Sequence, residues 1–107
     1  MGSWGMFAIA AMVFYAASMQ AAAAAGPRQQ FVACLKLTVD KANGDKLKPD
    51  AFGNFARQNC AAQISAFKQG LVSFDVKQGV ARKRAEADAE VQIDDYVVGA
   101  SEKIHSE

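Results

Sequence analysis

CLKLTVDKANGDKLKPDAFGNFARQNC, residues 34–60, holds both cysteines of the chain and a reversal midway between them. Before the reversal, Phe31, Cys34, Leu35, Thr38 and Ala42 recur every three or four residues. That spacing puts side chains on one face of a helix. Pro27 suits a first helical position, where its missing N–H would be unpaired anyway, and Gly44 suits a C-terminal stop. A helix is predicted over 27–43. Asp45 to Lys48 is a short polar connection, and Pro49-Asp50 opens the next helix with negative charge near its partially positive end. Phe52, Ala56, Cys60, Ile64, Phe67, Leu71 and Phe74 then follow at spacings of 4, 4, 4, 3, 4 and 3, the strongest periodic signal in the chain.

The two cysteines can be placed by height. The connection is centred near residue 46 or 47, so Cys34 and Cys60 lie similar distances before and after it. At about 1.5 Å per residue they come level on antiparallel neighbours. Each lies on its helix's apolar stripe. Packed helices about 8–10 Å apart can bring Cα atoms into the roughly 4.4–6.8 Å window a disulfide needs. A Cys34–Cys60 bond is therefore predicted, closing a loop whose constraint is worth roughly 3 kcal/mol.

Past Phe74 two arrangements stay open. Gly79 inside a helix costs only about 1 kcal/mol. The helix can run on as a rod through Ala85–Glu90 to Ile93, Val97, Ala100 and Ile104. Alternatively the chain turns at Gln78-Gly79 and folds back as the third member of a bundle. The alternation of Ala with charge over 85–90 offers no wide apolar face, which favours the rod. The expected fold is thus all-α: a disulfide-linked antiparallel helical hairpin continuing into a long C-terminal helix, with a three-helix bundle as the alternative.

The first part of the chain is of another kind. No Lys, Arg, Asp or Glu precedes Arg28, and the run from Trp4 to about Ala17 is apolar. Small residues follow, as a signal peptidase requires. A cleaved signal peptide is expected over 1–25, with cuts after Ala21, Ala23 or Ala25 all open, followed by one helical domain over 26–107. An uncleaved anchor is the alternative, since Trp4 to Ala25 has about the ~20 residues of a membrane-spanning helix. Gln20 and the lack of flanking basic residues argue against it. An even cysteine pair outside any CxxC arrangement fits an exported domain. The expected location is periplasmic or secreted.

The net charge of +1 gives no case for nucleic acid. The charges are nevertheless polarised: Arg28 to Arg84 carries eleven bases and four acids, Glu86 to Glu107 seven acids and one base. That suggests either self-association or a basic partner for the last helix, or a solvated helix with i,i+4 pairs at Arg82–Glu86 and Arg84–Asp88. Phe52, Phe67 and Phe74 are candidate linings of an apolar-ligand cavity, or plain core. Phe55 lies off the stripe, either covering the connection or standing as an exposed anchor.

Catalytic and metal-binding constellations are missing from the pattern. His105, the lone histidine, has nothing nearby to hold its tautomer. Glu90, Asp94 and Asp95 lack the glycine turn and ligand spacing of a calcium loop. No enzyme activity and no cofactor are expected.

The leader, Cys34 and Cys60 in an opening hairpin, and a late Ala/Glu/Asp helix leading to Asp94-Asp95-Tyr96 span most of the chain. In these features it resembles small exported helical proteins of Gram-negative bacteria. The resemblance implies a location and carries over no functional residue. The functional expectation is non-enzymatic association, with another protein or with itself, using 82–107 as the arm. The alternatives are an apolar-ligand carrier, or a membrane-anchored accessory subunit if the leader is retained.

Overall fold

One proline start and two left-handed residues set the layout of the chain. A computed structural model describes the backbone of residues 3–105 and the side chains of residues 24–105. Among the described residues four helices follow one another: α1 (Ser3–Gly44), α2 (Pro49–Asn59), α3 (Ala61–Lys77) and α4 (Arg82–Ser101). The fold is all-α, and Cys34 and Cys60 form a disulfide with Cα atoms 5.9 Å apart.

Pro27 does not start a helix, against expectation; it lies inside α1. A proline removes one ladder bond, and the five alanines before Gly26 are strong helix formers that carry the helix across the defect. Nor does Gly44 supply the stop. Leu47 N–H donates to Ala42 O (2.8 Å) and Lys46 N–H to Asn43 O (3.2 Å), with Lys46 at φ 57°. This is a Schellman closure with lysine in the left-handed position, and Leu47 packs onto the core beyond it.

Pro49 opens α2 with Asp50 in its first turn, as expected. The long stripe after it is two helices rather than one. Cys60, at φ −110° and ψ 22°, separates α2 from α3. Its N–H still donates to Ala56 O and its carbonyl accepts from Ile64 N–H, both at 2.8 Å, so the chain bends there without reversing. The bend falls on the residue that the disulfide ties to α1.

At the end of α3, Gly79 (φ 94°) donates to Val76 O and Val80 to Asp75 O, both at 3.0 Å, a second Schellman closure. The chain turns here and α4 packs back on α3, α2 and α1, so the rod is not formed. The narrow face of α4 is built from Ala85, Ala89, Ile93 and Val97, all buried. Alanines that alternate with charge look like surface in one dimension, yet at four-residue spacing they let two helix backbones approach closely.

Pairings give the directions. Cys34 meets Cys60 and Phe31 meets Phe67, so α2 and α3 run back along α1. Lys68 pairs with Glu90 and Arg57 with Asp94, so α4 returns along α3 and α2. One ring from each layer, Phe31, Phe67 and Tyr96, meets at the centre with centroids 5.7–5.8 Å apart. Phe52, Ala56, Cys60 and Ile93 fill the remaining core with no accessible surface.

Candidate functional site

The side of α1 turned away from the disulfide carries Val32, Leu35, Lys36, Val39, Asp40 and Asn43. Facing it are Asp95, Tyr96, Gly99 and Ala100 of α4 and Lys103 just past its end. The two helices run in the same direction: Phe31 meets Tyr96 low on the pair and Asn43 meets Lys103 high on it. They hold an open groove of about 930 Å³ between them. Its floor is Leu35 and Val39, both buried, with half-buried Tyr96 and Ala100. Val32 stands at the rim with 43% of its surface exposed, and a Cβ added at Gly99 would meet open space.

Asn43 ties the upper end of the groove. Its Nδ2 donates to Lys103 O at 3.3 Å, and its Oδ1 accepts from His105 N–H at 2.8 Å. Ile104, between those two backbone groups, is buried. The role of Asn43 was not visible in sequence because its partners lie some sixty residues later. His105 is exposed, and its backbone, not its imidazole, is what the fold uses.

The lower sulfur-bearing side is closed. Thr38 is the buried polar residue of the described core; its hydroxyl donates to Cys34 O at 2.7 Å and lies 3.4 Å from Cys60 Sγ. The Cys60 half of the disulfide is thus packed, and the Cys34 half is half-buried. Among the described residues no group of His, Cys, Asp and Glu converges as a metal site would require.

The phenylalanines do not make a cavity. Phe52 and Phe67 are fully buried and packed, leaving no surface for a ligand, while Phe74 is only half-buried and stands apart from that cluster. Phe52 and Phe67 are therefore plain core, the second of the two readings open for them, and Phe74 does not join them around a cavity. Phe55 covers the connection, half-buried with Lys41 Nζ 5.8 Å above its ring.

The charge polarity is partly spent inside the molecule. Arg57 of α2 pairs with Asp94 and lies 3.7 Å from Glu90, and Lys68 of α3 reaches Glu90 at 3.0 Å. Arg84–Asp88 forms at 3.9 Å; Arg82–Glu86 is not among the ion pairs of the described residues. α4 is therefore a packed member of the bundle and not a free arm. Searches against family models, curated proteins and solved structures find no match to this chain.

Proposed function

We propose that this is an exported, non-enzymatic helical protein that works by self-association through the α1/α4 groove. The observation that carries the reading is the placement of four exposed rim charges. Asn43 is level with residue 104, between its partners Lys103 and His105. Between this contact and the Phe31–Tyr96 contact lower down, Thr38 falls level with about residues 99–101, an offset the long charged side chains can span. Lys36 and Asp40 lie two residues either side of 38, and Asp95 and Lys103 lie four residues either side of 99.

A two-fold axis crossing the groove at that height lays α1 antiparallel on α1 of the second copy, and α4 on α4. Each Lys36 then meets the other copy's Asp40, and each Asp95 the other copy's Lys103. The same patch on both copies is self-complementary, as a closed dimer requires. Gly99 sits at the crossing point, where the missing side chain lets backbones approach. Val32, Val39 and Ala100 supply apolar area. The disulfide supports an oxidising compartment. Among the described residues no helix is long and apolar enough to cross a membrane, and the leader itself, with the anchor reading, falls outside the described side chains.

Sedimentation equilibrium of the disulfide-intact protein is the test. A concentration-dependent dimer is expected. Asp95→Lys puts like charges opposite Lys103 twice and weakens it by about tenfold or more, the equivalent of roughly 1.4 kcal/mol. Asp95→Lys combined with Lys103→Asp restores it, because exchange keeps every cross-axis pair opposite in sign. A strict monomer at all concentrations sinks the reading. A dimer whose strength ignores both variants sinks the groove as its interface. A co-purifying apolar molecule seated in the groove favours the carrier reading instead.

A further inference from the structure

Pro27 lies inside α1, and its nitrogen has no hydrogen to give the carbonyl four residues back. That carbonyl belongs to Ala23, and the bond it closes is the one to Ala24. The proline ring also crowds the same oxygen. One residue on, Ala24 is 3% exposed and belongs to the core with Phe31 and Leu71. Ala24 sits seven residues before Phe31, and Phe31 seven before buried Thr38, so the three share one face of the helix.

We propose that the Ala23–Ala24 peptide bond is the processing site of the exported precursor, cut by a leader peptidase. The proposal rests on the export reading above and adds the position. Three cuts satisfy the composition of the leader, and the structure separates them. A cut after Ala25 also has small residues at the required places, but it strips Ala24 from the core. A cut after Ala21 leaves Met19 three residues before the bond, where a small side chain is wanted. A cut after Ala23 puts Ala21 and Ala23 at the two selective positions and keeps Ala24 with Phe31 and Thr38.

The chemistry gives Pro27 its part. A peptidase must add to the scissile carbonyl, and in a helix that oxygen ordinarily accepts the N–H four residues later. Here the donor is missing from the sequence, so the Ala23 carbonyl lacks that bond. In hydrolysis the C–N bond of Ala23–Ala24 breaks. The water oxygen stays on the Ala23 carbon as a carboxylate, and the nitrogen keeps its own hydrogen, takes both water protons and leaves as the α-ammonium of Ala24.

The full-length chain is produced with its leader in a Gram-negative host, and the exported protein is sequenced from its N-terminus and weighed intact. Ala24 is expected as the first residue. A chain beginning at Gly26 or Ala22 overturns the site while leaving export standing. A chain still carrying Met1 overturns export and the site together. Pro27→Ala restores the missing donor, and pulse-chase of the precursor is expected to show processing slowed by about fivefold, the equivalent of one net backbone hydrogen bond. Wild-type rates for Pro27→Ala overturn the role given to the Ala23 carbonyl.

Discussion

The two flanks of α1 meet the rest of the molecule in opposite ways. Toward α2 and α3 the contact is covalent at Cys34–Cys60 and closed around it, with Phe31 on Phe67 and Thr38 against the sulfur. Toward α4 the contact is made chiefly at the ends, by Tyr96 below and Asn43 above, and between them lies the groove. One helix thus presents a face that is finished and a face that is not. The finished one carries Phe31, Thr38 and sulfur. The unfinished one carries valines bordered by Lys36 and Asp40, a composition that tolerates water and also suits a partner.

The closed flank is where the largest effect is expected. Cys34→Ser with Cys60→Ser removes a cross-link between residues 26 apart and should lower unfolding free energy by about 3 kcal/mol. Urea denaturation under non-reducing conditions measures it. A loss below about 1 kcal/mol would mean that packing at Phe31 and Thr38 holds this flank without the sulfurs. The groove and its dimer should survive at concentrations where the double variant is still folded, because no cysteine touches them.

On the open flank the corresponding fastening is weaker. Asn43→Ala deletes one donated and one accepted bond at an exposed site, and about 1 kcal/mol is expected to go with them. The sharper readout is local. The His105 amide should exchange its hydrogen faster, while amides around Cys60 keep their protection. Asn43→Asp keeps the acceptor for His105 and loses the donor to Lys103, so its effect should be about half as large. Equal loss of protection on both flanks would show that the two faces of α1 are not independent.

What could be read from residues alone follows the same division. The closed flank was legible because its determinants are periodic: Phe31, Cys34, Thr38 and Ala42 on one helix, Phe52 to Phe74 on the return, and two cysteines equidistant from a polar turn. The bend at Cys60 was not, because the spacing of Phe52, Ala56, Cys60 and Ile64 passes through it unbroken, with no Gly or Pro at the joint. Its location coincides with a tertiary bond and no local signal. The return of α4 was missed because Ala85 and Ala89 count little in hydropathy and much in close packing. The groove stayed hidden for a further reason: its two walls are about sixty residues apart in sequence, and only the register set by Asn43 aligns Lys36 and Asp40 with Asp95 and Lys103.

The smallest effects come from the two chain reversals, which share one hydrogen-bond pattern and differ in the residue at its left-handed position. Gly79 takes φ 94° without a Cβ, and a Cβ built there meets nothing within 4 Å. Gly79→Ala therefore isolates the backbone cost, about 1 kcal/mol of lost stability. Lys46 already bears such a cost at φ 57°. Lys46→Gly relieves about 1–2 kcal/mol of left-handed strain and gives back roughly 0.5–1 kcal/mol through the freer unfolded chain, so a net gain near 0.5 kcal/mol is expected. The two substitutions should shift the urea midpoint in opposite directions at unchanged slope. If Lys46→Gly destabilises instead, the lysine side chain contributes more at that turn than its backbone costs, and the likeness of the two reversals ends at their hydrogen bonds.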